Sequence, residues 1–413
     1  MQNNSTLRIN GQRLWQSIMA MAEIGPGQHG GSSRLALTDE DKLGRDLFTQ
    51  WCSEARCTMK IDDMGNLFAR RAGTNNNLPP IAAGSHLDTQ PHGGKFDGVY
   101  GVLSALEVVR TLNDNNIATE APIEVVVWTN EEGSRFAPAM VASGVYAGLL
   151  DKKVSWATTD VNGCSIKQEL KRIGYFGEEP CGEHRLGALL EAHIEQGPIL
   201  ENNQKQIGVV LGGQGIRWYD LTIKGQDAHA GPTPMAVRQD ALVAAAELIS
   251  GVQTLALSHP PYAVATVGEM RVSPNSRNTI PGEVFLTVDL RNPNNELLEL
   301  MNEEFRDRCA ICAKQHNVEI EITEIWNKPP IRFDTQCVTA ISEAVQAMGY
   351  SHQEIVSGAG HDACQVCEVL PTAMIFVPCA GGLSHNEAES AEPADLEAGA
   401  NVLLHAMLSL ANK

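Results

Sequence analysis

Imidazole and carboxylate side chains follow four predicted strands of this sequence, at or near the point where each strand ends. They are His86 and Asp97, the adjacent pair Glu131 and Glu132, His193, and His385. Because ligands of open α/β sheets gather at the carboxyl ends of strands, we expect these side chains to lie close together. Nitrogen and oxygen donors of this kind suit a borderline divalent ion such as zinc. One such strand end arises easily by chance, whereas four together favour a functional site.

The number of ligands predicts two metal ions rather than one. Five protein ligands on a single ion would leave little room for water, whereas a bridging Asp97 lets the same residues hold two ions with an open position on each. Two ions roughly 3.5–4 Å apart can share a hydroxide nucleophile and polarise a carbonyl group. Of Glu131 and Glu132, one could bind metal while the other serves as general base. Of His86 and Asp88, one could bind metal while the other orients the ring.

The elements that would position these residues alternate between strands and helices. Strands are predicted at 81–83, 123–128, 189–194, 207–211 and 372–377, and helices at 8–24, 39–57, 101–113, 338–348 and 395–411. This alternation indicates an α/β domain with a layered, mostly parallel sheet. Between its two parts the order becomes β-α-β-β-α-β, with helices at 235–257 and 295–315, which is typical of a ferredoxin-like unit. We therefore predict a catalytic domain over 1–214 and 329–413 and an inserted domain over 215–328.

Length and composition limit the classes of protein that fit. The 413 residues are 43% hydrophobic and 20% charged, as in a globular protein of two or three domains. A net charge of −19 argues against nucleic acid or an anionic membrane as partner. The N-terminus carries no signal-peptide pattern, and no apolar run reaches membrane-spanning length. We expect a cytoplasmic protein with reduced thiols.

Two cysteine pairs have the spacing of a zinc site, Cys309 with Cys312 and Cys364 with Cys367. A structural zinc site is the functional interpretation. The gap between the pairs is much longer than in a zinc ribbon, and both pairs fall in predicted helices. We therefore favour small buried side chains.

Seven motifs together resemble the zinc-dependent amidase/hydantoinase/carbamoylase group of the aminoacylase and glutamate-carboxypeptidase superfamily. The motifs are HLDT with GGKFDG, WTNEEGSRF, AHIEQGP, DAHAGPTPM, SGAGHDA and GLSHN. They occur in the family's order and cover essentially the whole chain. The group includes N-carbamoyl-L-amino acid hydrolases, β-ureidopropionase and allantoate amidohydrolase. The motifs identify the group specifically, but they say little about which substrate the protein takes.

The resemblance implies a role for each matching residue. One metal ion would be held by His86, Asp97 and His193, and the other by Asp97, Glu132 and His385. It further implies that Glu131 is the catalytic base and that Asp88 orients His86. The metal is expected to be zinc, with manganese, cobalt or nickel as alternatives.

The substrate-binding residues implied by the resemblance lie in both domains. His229 would come from the partner subunit of a homodimer and stabilise the developing oxyanion, and Asn278 would act beside it as a side-chain amide. Arg291 would clamp the substrate carboxylate with its guanidinium fork. Without the resemblance, these three would read as a loop histidine, a turn residue and a surface ion pair. Gln196 and the loop from Gly358 to Asp362, which includes Gly360 and His361, would complete the pocket, although His361 could equally be a structural histidine.

The expected reaction is hydrolysis of an N-carbamoyl amino acid to the amino acid, ammonia and carbon dioxide. The motif HLDTQP followed by GKFDG resembles β-ureidopropionase more than allantoate amidohydrolase. This resemblance favours N-carbamoyl-β-alanine, with N-carbamoyl-L-α-amino acids close behind and allantoate as the alternative. Two other classes remain open, an N-acyl deacylase or peptidase and a metal-stabilised binding protein without turnover. The inserted domain is expected to serve as a lid and dimerisation domain.

Overall fold

The computed structural model describes residues 6–412, which form two compact units. The first unit runs to Gly212 and resumes at Phe333, and the second spans Gly213–Arg332. The second unit is therefore an insertion in the first. Within the described range, no helix is both long and apolar enough to cross a membrane.

The first unit contains a sheet of parallel and antiparallel strands together with ten α-helices that the structure describes in residues 6–212 and 333–412. Its strands are β1 (Thr58–Ile61), β2 (Leu67–Arg71), β3 (Ile81–His86), β4 (Ile123–Trp128), β5 (Ala188–Ile194), β6 (Ile207–Gly213), β14 (His352–Ser357) and β15 (Thr372–Val377). Its helices are α1 (Gly11–Ala22), α2 (Asp39–Glu54), α3 (Val99–Asp114), α4 (Val141–Tyr146), α5 (Lys152–Ala157), α6 (Ile166–Ile173), α7 (Ile199–Asn202), α10 (Thr335–Met348), α11 (Ala363–Val366) and α12 (Pro393–Ala411).

Four parallel strands form the centre of this sheet. The order is β1-β2-β4-β3-β5-β15-β6, and β14 also pairs with β6. Strands β4, β3, β5 and β15 run parallel to one another, and every residue in them is buried. Parallel strands need cover on both faces, so uninterrupted apolar runs such as 123–128 are what this position requires. Their shared direction brings His86, His193 and the residues after Trp128 to one edge.

The second unit is a four-stranded antiparallel sheet packed against two helices. Its sheet has the order β12 (Glu319–Lys328), β7 (Gly215–Lys224), β11 (Glu283–Asn292), β9 (Val264–Ser273), and the helices are α8 (Ala241–Leu257) and α9 (Asn295–His316). A separate ribbon pairs β8 (Ala228–His229) with β10 (Thr279–Ile280), and β13 (Ile331–Arg332) ends the unit. The core of this unit joins one face of the sheet to both helices. The predicted fold class, with its ferredoxin-like insertion, is confirmed.

Several predicted elements have different bounds in the structure. The helix predicted from Met235 begins at Ala241, because the Asp240 carboxylate accepts the main-chain N–H groups of Leu242 and Val243 and so caps the helix there. Residues 235–237 form a separate 3-10 turn. The sequence pattern also missed β1, β14, the β8–β10 ribbon and helices α4 to α6, all of which are short.

Candidate metal centre and active site

Asp97 lies where the two predicted ligand sets meet, in the loop between β3 and α3. Its Oδ1 is 3.4 Å from Nε2 of His86 and 3.2 Å from Nε2 of His193. Its Oδ2 faces the other way and is 3.6 Å from Nε2 of His385. The two oxygens of one carboxylate therefore face different imidazoles, which is the arrangement that a bridging ligand requires.

The second set is completed by Glu132, which follows β4. Its Oε2 is 3.3 Å from Nε2 of His385 and accepts a 2.7 Å hydrogen bond from Nε2 of Gln90. The potential ligand atoms of His86, Asp97 and His193 lie within 4.8 Å of one another, and so do those of Asp97, Glu132 and His385. The structure thus brings all five predicted ligands together. His385 does not directly follow a strand, because a 3-10 turn over 380–382 separates it from β15.

The buried imidazoles are oriented by main-chain carbonyl groups. Nδ1 of His86 is 2.8 Å from the carbonyl oxygen of Asp88, and Nδ1 of His193 is 2.9 Å from that of Ile194. With Nδ1–H donating to these oxygens, Nε2 of each ring is left as the nitrogen that could bind a metal ion. Asp88 thus contacts His86 as the sequence suggested, but through its main chain rather than its carboxylate.

The Asp88 carboxylate supports the glutamate pair instead. Its Oδ1 accepts the main-chain N–H of Glu131 and its Oδ2 that of Glu132, each at 3.3 Å. Asp88 is almost fully buried. A single side chain therefore fixes the main chain of both glutamates relative to the end of β3.

Glu131 has the surroundings of a general base. Its Oε2 lies 3.5 Å from Nε2 of His86, and the residue is buried. Burial raises the pKa of Glu131 well above its usual range, and the charges of Asp362 and Glu132 add to this effect against the opposing charge of His86. A carboxylate with a raised pKa holds a proton more readily, as proton transfer near neutral pH requires.

The donor set carries an excess of buried negative charge. Burial and the neighbouring charge of Asp97 raise the pKa of Glu132 to about 8. Burial works against ionisation of Asp97, but hydrogen bonds with His193 and His86 hold its pKa well below the usual range. Buried carboxylates are stable when they are paired or coordinate metals, so the residues present fit divalent cations.

Gly98 lets the loop approach the His86 ring. Its φ is +66°, and a Cβ at this position would lie 2.3 Å from Cε1 of His86. Only glycine adopts such a conformation without strain and leaves room for the imidazole. The glycine in FDG is therefore required by the close approach of the loop to the ring of His86, a candidate metal ligand.

Two residues that the sequence analysis missed hold Asp97 in place. Ser384 Oγ donates to Oδ2 of Asp97 at 2.8 Å and lies 3.0 Å from Oε2 of Glu389. Oε1 of Glu389 accepts the main-chain N–H groups of Phe96 and Asp97, at 2.9 and 3.2 Å. Glu389 lies in an acidic loop without a motif of its own, so the sequence offered only Ser384, beside His385, as a signal.

Three of the predicted substrate-binding residues lie in the first unit. Gln196, with a φ of +57°, donates from Nε2 to Oδ2 of Asp97 at 2.7 Å. The ring of His361 packs edge-on against that of His193, with centroids 4.6 Å apart, and its Nε2 is 3.0 Å from Oγ of Ser357. Burial and the charge of His193 hold the pKa of His361 well below its usual range. Gly360 precedes it and adjoins the side chain of Met140.

The other three predicted residues lie in the inserted unit. The exposed His229 is opposite Thr279 in the β8–β10 ribbon, and the main-chain N–H of Ala230 donates to the carbonyl oxygen of Asn278 at 2.9 Å. The structure therefore brings His229 and Asn278 together at one end of this ribbon. Arg291, on β11, contacts the carboxylate of Asp289, with Nη2 2.8 Å from Oδ2.

A separate group of metal-ligand type, Glu247, Cys312 and His316, lies between α8 and α9. Nε2 of His316 is 2.7 Å from Oε2 of Glu247, and Sγ of Cys312 donates to the carbonyl oxygen of Ala244 at 3.5 Å. Burial raises the pKa of Cys312 to about 11, which keeps it a thiol. Cys309 and Cys312 are both buried in the core of this unit, as small apolar side chains would be.

Comparisons with known proteins agree with this geometry. The chain is 50% identical over 404 residues to an N-carbamoyl-L-amino-acid amidohydrolase of Rhizobium meliloti, covering 98% of this chain and 97% of the relative. An allantoate amidohydrolase of Bacillus subtilis is 32% identical over 394 residues, covering 95% of each. A crystal structure of an amidase of the hydantoinase/carbamoylase family from Burkholderia multivorans superposes with a TM-score of 0.96 at 55% identity, covering 99% of both chains.

The resemblance to the amidase/hydantoinase/carbamoylase group is confirmed by these relatives. The model of the protein family described as Peptidase family M20/M25/M40 matches residues 82–409. That range includes every candidate metal ligand and the whole inserted unit. The chain is a member of peptidase family M20/M25/M40.

Proposed function

We propose that this protein is a metal-dependent amidohydrolase that removes the carbamoyl group of N-carbamoyl-L-α-amino acids. The products would be the free amino acid, ammonia and carbon dioxide. The observation that carries the proposal is the Asp97 carboxylate, whose two oxygens face two different ligand sets with Glu131 beside them. The name of the relative at 50% identity supports L-α-amino acids as the substrate class, ahead of the β-alanine derivative that the resemblance to β-ureidopropionase favoured.

Two divalent ions per subunit fit the residues present. His86, Asp97 and His193 would hold one ion, and Asp97, Glu132 and His385 the other. When bound, such ions would polarise the carbamoyl group and lower the pKa of a water molecule, so that the water can lose a proton and become the nucleophile at neutral pH. Zinc suits these nitrogen and oxygen donors, and manganese, cobalt or nickel would also bind them.

Glu131 is the residue that moves protons in this proposal. Its carboxylate would take a proton from the attacking water and pass it to the leaving nitrogen of the amino acid, so that one group serves as base and then as acid. The main-chain contacts to Asp88 keep Glu131 in place while its charge changes. Burial excludes competing water from the carboxylate.

The remaining predicted residues would recognise the substrate. Arg291 would bind the carboxylate of the amino acid, in exchange for its contact with Asp289. His229 and Asn278 would stabilise the oxyanion that develops on the carbamoyl oxygen. We propose that His229 does so across a homodimer formed by the inserted domain, which would also serve as a lid.

The proposed function is tested by ammonia release from metal-stripped protein, with and without added zinc or manganese. The substrates are an N-carbamoyl-L-α-amino acid, N-carbamoyl-β-alanine and allantoate, compared by kcat/KM. We expect metal-dependent release that is fastest with the L-α-amino acid derivative. A preference for allantoate would assign the chain to the activity named for its Bacillus subtilis relative.

Further assays on the same metal-loaded protein distinguish the two other classes, a deacylase or peptidase and a binding protein without turnover. Turnover of an N-acetyl amino acid or a dipeptide, without turnover of any ureido substrate, would identify a deacylase or peptidase. Metal-loaded protein that binds these compounds but releases no product would be a binding protein.

A further inference from the structure

Asp362 is buried, and one of its two carboxyl oxygens has no hydrogen-bond partner among the described residues. The residue has no exposed surface and follows His361 at the start of α11. Its Oδ1 contacts Oγ of Ser143, whereas Oδ2 is buried and has no hydrogen-bond partner within residues 6–412. Nor does the carboxylate cap its helix. A buried polar atom without a hydrogen-bond partner lowers the stability of the fold. An oxygen in this state is therefore expected to accept a hydrogen bond from a bound molecule.

The hydrogen bonds around Ser143 define the form of this carboxyl group. Ser143 Oγ has a single hydrogen and faces two acceptors, Oδ1 of Asp362 and the carbonyl oxygen of Met140 at 3.2 Å. If Asp362 carries a proton on Oδ1, that proton is donated to Ser143, and the serine hydrogen remains for Met140. Oδ1 of Asp362, Oγ of Ser143 and the carbonyl oxygen of Met140 are then all satisfied, and only Oδ2 is left without a partner. Burial and the charge of Glu191 hold the pKa of Asp362 well above its usual range, which favours the same neutral form.

In that form Oδ2 is an oriented acceptor that cannot donate. The chain of hydrogen bonds also connects it to the catalytic segment, since the main-chain N–H of Met140 donates to the carbonyl oxygen of Glu131 at 2.7 Å. His361, which directly precedes Asp362, packs against the candidate metal ligand His193, with ring centroids 4.6 Å apart. The unpartnered oxygen therefore belongs to the buried polar region that surrounds the general base.

The proposed substrate carries a donor that matches this acceptor. The terminal nitrogen of a carbamoyl group has two N–H bonds, whereas an N-acetyl group has a methyl of nearly the same size in its place. We propose, on the basis of the proposed function, that Oδ2 of Asp362 accepts a hydrogen bond from this terminal –NH2 and makes the site select N-carbamoyl over N-acyl amino acids. A site built around such a bond discriminates strongly against an analogue that lacks the donor, because its buried acceptor is then left unpaired.

The test compares two substitutions of similar size in the metal-loaded enzyme. Asp362→Asn can donate from its amide to Ser143 and keep an oxygen as acceptor, whereas Asp362→Leu removes the acceptor. The kcat/KM is measured for an N-carbamoyl and an N-acetyl derivative of the same L-amino acid. Where acetyl turnover is too slow to measure, the N-acetyl compound is measured as a competitive inhibitor.

We expect Asp362→Leu to lose about 100-fold or more of the preference for the carbamoyl substrate, because the loss of kcat/KM falls mainly on the carbamoyl substrate and much less on the N-acetyl compound. Asp362→Asn should keep the preference. Should the leucine variant not fold, Asp362→Ser, which shortens the side chain, takes its place with the same expectation.

Equal losses for both compounds would show a merely structural role and overturn the inference, as would an unchanged preference in Asp362→Leu. Loss of the preference in Asp362→Asn would also contradict it, because the neutral acceptor would then not suffice. A wild-type enzyme without carbamoyl turnover would instead overturn the proposed function, so the two failures are distinguishable.

Discussion

At the scale of single residues, the site depends on how Asp97 is shared. The carboxylate contacts three imidazoles, Gln196 and Ser384, and its main-chain N–H is held by Glu389. These contacts leave the side chain little freedom to rotate. A ligand held in this way would keep two bound ions at a fixed separation, which the proposed reaction would need if both ions are to act on one substrate.

Glu131→Gln should abolish most turnover without loss of metal. Glutamine keeps the size of the side chain but cannot accept the proton of water, so we expect kcat to fall by about 10²- to 10⁴-fold. Metal content measured by atomic absorption should remain that of the wild type, because Glu131 is in neither ligand set. Glu132→Gln is the matched variant and should lose metal. Full turnover in Glu131→Gln would remove it from the role of base.

Gly98→Ala should weaken metal binding through the His86 ring. The added methyl group would lie 2.3 Å from Cε1 of His86, so the imidazole would have to move away from Asp97. We expect about a 10- to 100-fold loss of metal affinity, measured by competition with a chelator. Gly148→Ala is the control, because Gly148 has a φ of +72° but no atom within 4 Å of the added position. Equal effects of both substitutions would point to backbone strain alone.

At the scale of elements, the turn after β4 depends on a residue from the end of β3. Asp88→Asn places an amide N–H against one of the two main-chain N–H groups that the carboxylate now accepts. We expect lower thermal stability together with loss of bound metal and of kcat, because Glu131 and Glu132 move with this turn. The readouts are thermal unfolding, metal content and turnover.

The control for that variant is Asp160→Asn, at another carboxylate that accepts two main-chain N–H groups, those of Asn162 and Cys164. It should lower thermal stability and leave the metal content unchanged. If Asp88→Asn also kept its metal, the two hydrogen bonds to the turn would have no part in forming the site.

The sequence predicted those elements whose cause is local. The strand at 123–128 was predictable because a buried parallel strand needs an unbroken apolar run, and the ligands that follow such strands could be anticipated from their position. Asp362 was predicted only as part of the pocket loop 358–362, and Glu389 was not predicted at all, because their contacts are with residues that are distant in the chain. Ser143 and Asp362 are 219 positions apart, and Glu389 and Asp97 are 292 apart. The β8–β10 ribbon was missed because two-residue strands leave no periodic pattern.

At the scale of the whole molecule, the proposal places one catalytic residue on each side of a subunit boundary. Glu131 lies in the first unit and His229 in the inserted unit, exposed at the end of its ribbon. An exposed histidine whose main chain is fixed by pairing with Thr279 can act on a second copy of the chain. This arrangement predicts that neither subunit is complete alone.

Mixing two inactive variants should therefore restore activity. A dimer of one Glu131→Gln subunit with one His229→Ala subunit contains one site with both wild-type residues and one site with neither. With random exchange of subunits in an equal mixture, about half of the dimers would be mixed and one site in each would be active, so about a quarter of the wild-type activity should return. Ammonia release is measured after the subunits have been dissociated and reassociated.

The control is a mixture of Glu131→Gln with the double variant that carries both substitutions, which offers no complete site in any pairing and should stay inactive. If the first mixture also stayed inactive while native mass spectrometry, with one variant carrying a tag, showed mixed dimers, His229 would serve the site of its own subunit. If full activity were found in a monomer, the homodimer would not be needed for catalysis at all. Recovery in the first mixture alone would establish that the inserted domain completes the active site of its neighbour, because no other pairing brings an intact Glu131 and an intact His229 to one substrate.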